Sequence, residues 1–222
     1  SGDFDLYPEY TSSGYIMVLK HDSDGISDED MWKQLQKEYK DKYDMSWIGQ
    51  YGFNNTYALI VREEAAKKYN LTKTSQLAEV SDELVFGGNS DYIERKDGFH
   101  LLCDTYGLKF KDVKDIDIGL KYEALKKGDI DVSNGFTTDA QLSNDNVRVL
   151  EDDKHLQVNY FCSNVVRNDT LKSHPGLEEA IMKLDHSITD KEMASLNYKV
   201  EVEGKEDVQV AKDYLTEKGI IK

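Results

Sequence analysis

The chain is short of several things, and each shortage excludes a class of function. It has two cysteines in 222 residues. Cys103 and Cys162 form no CxxC or metal-type spacing, so two separate buried thiols are expected rather than a disulfide framework. Basic residues are outnumbered, 28 to 43, leaving a net charge of −15. That balance provides no cationic footprint for nucleic acid or an anionic membrane surface. No apolar run approaches the roughly 18 residues of a membrane span. The five histidines (His21, His100, His155, His174, His186) are scattered in polar stretches and predict no metal site or triad. Glycine-rich phosphate loops and HExxH are absent too. Nothing local supports an enzyme, a cofactor or a metal.

What is plentiful is tyrosine, 14 residues against 7 phenylalanines. Tyrosine joins a π face to a polar tip and suits a wet binding surface. Periodicity predicts helices over 26–43 (Ser27 as N-cap), 62–70, 75–80, 97–107 (closed by Gly107) and 119–129 (closed by Gly128). Three more are expected over 175–187, 190–200 and 207–219. Apolar runs predict strands over 56–62, 83–88, 130–136, 148–152 and 160–167, with a short strand-like run before the tyrosines of DFDLYPEYT (3–11). Strands alternating with helices predict an α/β fold with mainly parallel sheets.

Two internal echoes say more than any single motif. SGDFDLYPEYTSS (1–13) is matched by KGDIDVSNGFTTDA (127–140), each leading to an aromatic–threonine step, Tyr10-Thr11 and Phe136-Thr137. NNTYALIV (54–61) is matched by VNYFCSNVV (158–166), an asparagine and a tyrosine leading into an apolar strand. Short GDxD-like pieces also recur by coincidence at helix–strand junctions. The physical alternative is two similar lobes of βα units with two crossing segments: 1–57 with 158–222, and 58–157. Open α/β sheets bind ligands beyond the carboxyl ends of their strands. Tyr10 and Phe136 are expected there, with Tyr57 and Tyr160 at the crossings.

Four electron-rich rings around one point favour a quaternary ammonium ion, at about 0.5–2 kcal/mol per face. Four faces supply at most about 8 kcal/mol, close to a micromolar complex before association costs. Polar neighbours must hold the rest of the ligand, and Asn55, Thr11, Ser13 and Thr137 are the candidates.

DLYPEYT, GFNNTYAL, IGLKYEALKKGDIDVSNGFTTDA, VLEDDK, HPGLEEA and LNYKVEVEGK occur in this order along nearly the whole chain. They resemble the extracytoplasmic substrate-binding proteins of osmoprotectant ABC importers, which bind glycine betaine, carnitine, choline and related quaternary amines. The resemblance implies a type II periplasmic-binding-protein fold, two lobes joined by two crossovers and closing on a ligand by a hinge. It implies a non-catalytic protein that needs no cofactor, takes a small quaternary-ammonium ligand and hands it to a transmembrane permease subunit. Carried over by position, the cage resembles Tyr10, Tyr57, Phe136 and Tyr160, while Asn55 and Ser13 match groups that bond a ligand carboxylate. Arg95 matches an arginine in the family's loop before DG.

Three departures stand out. The family's YTGT is YTSS here, shortening the hydroxyl side chain at Ser13. Its PPYDAAP stretch is VNYFCSN, which puts Phe161 and Cys162 beside the cage. Its opening βαβ segment has no counterpart in these residues, so the first lobe is expected to be incomplete. The ligand can therefore differ from glycine betaine, with ergothioneine or a small-amine enzyme using the same cleft as alternatives.

Overall fold

A computed structural model describes residues 3–23, 25–94, 98–143 and 146–221. Its strands are β1 (Leu6–Tyr10), β2 (Met45–Asn54), β3 (Tyr57–Arg62), β4 (Val85–Gly88), β5 (Asp112–Asp115), β6 (Val132–Phe136), β7 (Val147–Leu150) and β8 (Phe161–Arg167). The residues divide into two compact units, 1–56 with 158–222, and 57–157.

The first unit is built on the sheet β1-β8-β2, with both ladders antiparallel. β8 takes the centre because FCSNVVR is buried through its interior. β1 lies at an edge, which lets it carry Pro8 without losing a ladder donor. Helix Asp28–Tyr43 begins where the Ser27 hydroxyl accepts the Asp30 N–H at 3.1 Å. Acidic Asp28, Glu29 and Asp30 fill its first turn and Lys40 and Lys42 its last, matching the helix dipole. Met31, Leu35 and Tyr39, four residues apart, share one face and pack with Tyr15, Trp47 and Val165. Truncating the fully buried Leu35 to alanine would cost about 2–5 kcal/mol. Further along the sheet, Ile48, Val166 and Ile181 pack together.

β2 is a strand that the sequence pattern conceals. MSWIGQYGFN contains Gly49 at φ +64° and Gly52 at φ +109°, and its register against β8 shifts twice. Such irregularities break the alternation that marks a strand. A wide helical turn at Ser13–Val18, helices Ser90–Glu94 and Asn168–Ser173, and the wholly exposed strand β5 also lack a sequence signal.

The second unit carries the sheet β5-β4-β6-β3-β7. Here the expectation of mainly parallel sheets is corrected. Among the described residues only the β4–β5 and β4–β6 ladders are parallel, whereas β3 runs antiparallel to β6 and β7. Among the described residues of both units, every antiparallel ladder involves β3 or β8. These are the strands with which the chain enters the second unit and re-enters the first. Counting βα units cannot reveal the direction of a strand that arrives from outside the winding. Phe86, Leu77, Val61 and Val132 fill one side of this sheet, and Ile60, Leu125 and Ile130 the other. Gly107 and Gly128 end their helices in the left-handed conformation, at φ +70° and +77°.

Candidate functional site

In the first unit, Tyr10 is the last residue of β1 and pairs with Cys162 across the ladder. Its half-buried hydroxyl accepts a hydrogen bond from Asn55 Nδ2 at 3.3 Å. Burial raises the Tyr10 pKa, and the Asn55 hydrogen bond partly opposes it. Asn55 lies between β2 and β3, and its backbone N–H donates to the Tyr160 carbonyl at 3.0 Å. Tyr160 directly precedes β8. Tyr10, Asn55 and Tyr160 are thus joined by a continuous set of contacts. Ser13 opens the helical turn three residues beyond Tyr10, half-buried. Thr11 and Ser12 are buried, and the Ser12 hydroxyl donates to the Asn159 carbonyl at 2.5 Å.

In the second unit, Tyr57 opens β3 and faces Phe136, the last residue of β6, in the antiparallel register. Their rings stack 4.9 Å apart at 27°. Stacking covers one face of each ring, and Tyr57 is also packed against the core of this unit. Phe136 is held by its own turn. Its N–H donates to Asp139 Oδ2 at 3.1 Å and its carbonyl accepts the Asp139 N–H at 3.0 Å. The same carboxylate oxygen accepts the Tyr122 hydroxyl at 2.5 Å and Lys121 Nζ at 3.2 Å. Space for this cluster depends on Gly135. A Cβ there would run into Ile60 and lie 2.9 Å from Asp139 Oδ2. Thr137 follows in this turn, partly buried.

Arg95 lies outside the described residues. Tyr92, which the sequence did not single out, sits buried on helix Ser90–Glu94 with its ring 5.5 Å from that of Tyr57. It follows a glycine pair and a polar stretch, which carry no periodic signal. Asp139 and Asn54 were missed as well, since each acts on a neighbour's backbone and not through a motif.

Both cysteines are free thiols. Burial pushes Cys162 up to about 12 and the less enclosed Cys103 up to about 11, so neither is poised as a thiolate nucleophile. Among the described residues no group of histidine, cysteine or carboxylate side chains could hold a metal ion. Also among them, no helix is long and apolar enough to cross a membrane.

Comparison with known proteins supplies the context. The family described as the substrate binding domain of the ABC-type glycine betaine transport system matches residues 1–217. An ergothioneine transport permease/ergothioneine binding protein, EgtU of Helicobacter pylori, is 37% identical over 219 residues, 99% of this chain. The chain spans only 39% of that protein's length. The carnitine transport binding protein OpuCC of Listeria monocytogenes is 34% identical over 97% of this chain and 70% of its own. The crystal structure of a glycine betaine/carnitine/choline ABC transporter superposes with a TM-score of 0.92 at 35% identity, covering 99% of this chain and 80% of that one. That likeness gives the type II periplasmic-binding-protein fold. The chain belongs to the family of substrate-binding domains of ABC-type glycine betaine transport systems.

Proposed function

We propose that this chain captures a quaternary-ammonium compound (glycine betaine, carnitine, choline or a related betaine) outside the cytoplasm and delivers it to the transmembrane permease of an ABC importer. It does so without catalysis. The observation that carries this reading is the placement of aromatics at strand ends beside amide donors: Tyr10 bonded to Asn55 with Tyr160 adjoining, and Tyr57 stacked on Phe136. The ligand-binding residues of this reading are Tyr10, Ser13, Asn55 and Tyr160 in the first unit, and Tyr57, Phe136 and Thr137 in the second, with Arg95 added by the family resemblance alone. Ring faces attract a cation that cannot be satisfied by hydrogen bonds, and the amide and hydroxyl donors serve the other end of a zwitterion.

Ergothioneine, another trimethylammonium compound, is the second reading, favoured by the 37% identity to the H. pylori protein whose name carries that ligand. Calorimetry with glycine betaine, carnitine, choline and ergothioneine tests both, and no heat with any of them refutes them. Ser13 and Asn55 offer donors without negative charge, so zwitterions are expected to bind more tightly than choline. Ser13→Asp is expected to weaken zwitterion binding by about 1.5–3 kcal/mol while sparing choline. Parent protein that binds choline tenfold more tightly than betaine and carnitine would overturn this selectivity.

A further inference from the structure

We propose that Asn54 is a positioning residue, fixing the backbone of Tyr160 and Asn55 and thereby setting how tightly the first unit's aromatics hold an onium ligand. The proposal rests on the functional reading above for its ligand, and on geometry alone for the positioning.

Asn54 ends β2 and uses both polar atoms of its side chain and its backbone N–H along this edge. Its side-chain Oδ1 accepts the Tyr160 N–H at 2.7 Å. Its Nδ2 donates to Asn159 Oδ1 at 2.7 Å. Its backbone N–H donates to Asp190 Oδ1 at 2.7 Å, a carboxyl whose pKa burial raises. The next residue, Asn55, donates its N–H to the Tyr160 carbonyl at 3.0 Å. Both backbone polar groups of Tyr160 are therefore held by consecutive asparagines. The reason lies in the register. Between Gln50 and Asn54 the β2–β8 ladder shifts, so residue 160 falls beyond its regular rungs. A side chain completes what the backbone ladder no longer can.

The anchor extends to the rest of the site through Asn159. The Asn159 carbonyl accepts the Ser12 hydroxyl at 2.5 Å and the Thr11 hydroxyl at 3.4 Å, and its Nδ2 donates to Asp28 Oδ2 at 2.8 Å. Thr11 and Ser12 directly follow Tyr10. Position 54 thus requires a donor and an acceptor on one short planar group. Aspartate lacks the donor, leucine lacks both, and glutamine places them one methylene too far. The amide orientation is set by the Tyr160 N–H, which can meet only the oxygen.

A loosened Tyr160 would occupy its binding-competent position for only part of the time, and apparent affinity falls by that fraction. Asn54→Ala is expected to weaken the tightest-binding of the four probes named above about tenfold. Tyr160→Ala should weaken it as well, and the double variant should lose less than the sum of the two single losses, because both changes remove the Tyr160 contribution. Additive losses would overturn the proposal. Unchanged binding in Tyr160→Ala would instead refute the aromatic reading of that residue.

Hydrogen exchange in the ligand-free chain decides the positioning whatever binds. In Asn54→Ala the Tyr160 amide is expected to exchange about tenfold faster, with the interior amides of β8 unchanged. In Asn54→Asp, which keeps the acceptor, the Tyr160 amide is expected to stay close to its parent rate. An unchanged Tyr160 amide in Asn54→Ala overturns the proposal. So does equal acceleration throughout β8, or Asn54→Asp exchanging as fast as Asn54→Ala.

Discussion

Removing the Asp139 carboxylate should damage the second unit more than its small size suggests. Three donors converge on its Oδ2: the Tyr122 hydroxyl, the Phe136 N–H and Lys121 Nζ. The Lys121 side chain is only 7% exposed, and that of Asp139 22%. Asp139→Ala leaves a buried ammonium without its counter-charge, a loss of about 3–5 kcal/mol. Lys121→Met is milder, about 1–3 kcal/mol, because the better-exposed carboxylate keeps the phenol and the backbone N–H. The double variant should then recover at least about 1 kcal/mol over Asp139→Ala, since no isolated charge remains. Both tryptophans, Trp32 and Trp47, belong to the first unit, so fluorescence is the wrong probe for this change. Exchange of the interior amides of β3 and β6 reads the right one. A loss below about 1 kcal/mol in Asp139→Ala, or a double variant no more stable than it, would refute the argument.

Two further outcomes can be checked with less effort. The Glu192 carboxyl is lowered from 4.5 to about 2 by hydrogen bonds from Lys218 and from the N–H and hydroxyl of Thr189. A depressed carboxylate stabilises the fold fully above its unfolded pKa, and that stability is lost as pH falls through the folded value. Helix Asp190–Glu201 should therefore lose its cap between about pH 4.5 and 2, and Glu192→Gln should flatten the acid limb of a denaturation curve in that window. Gly52→Ala should cost about 1–3 kcal/mol, since φ is +109° and the new Cβ would lie 2.8 Å from the Ile188 carbonyl oxygen. Gly204→Ala, at φ +68° with open space around it, should lose less, and equal urea midpoints by tryptophan fluorescence would contradict this.

Local signals in the sequence were sufficient for the helix boundaries that one residue sets. Ser27 caps its helix through its own hydroxyl, and Gly107 and Gly128 stop theirs by accepting positive φ. The echo was legible for the same reason: Tyr10 and Phe136 each end a strand, Tyr57 opens one and Tyr160 precedes one. Strand direction was not legible, because βα spacing does not record where β3 and β8 come from. β2 stayed hidden behind Gly49 and Gly52. Asp139 lies three residues from Phe136 and was missed because its carboxylate acts on backbone without a motif, whereas Asn54 was hidden by distance. Asn54 meets Tyr160 across 106 positions, and no pattern within a window of ordinary length contains both.

The central place of β8 has a consequence for synthesis on the ribosome. β1 and β2 pair with β8 and not with each other, so the first unit's sheet has no ladder until residues 161–167 emerge. Residues 57–157 are contiguous and contain every strand of their own sheet, so that unit can complete itself first. At ordinary elongation rates, helix Asp28–Tyr43 waits roughly 10 s before Val165 arrives to complete the cover of its apolar face. During that interval Met31, Leu35 and Tyr39 remain incompletely covered, apolar surface of the kind that a chaperone binds.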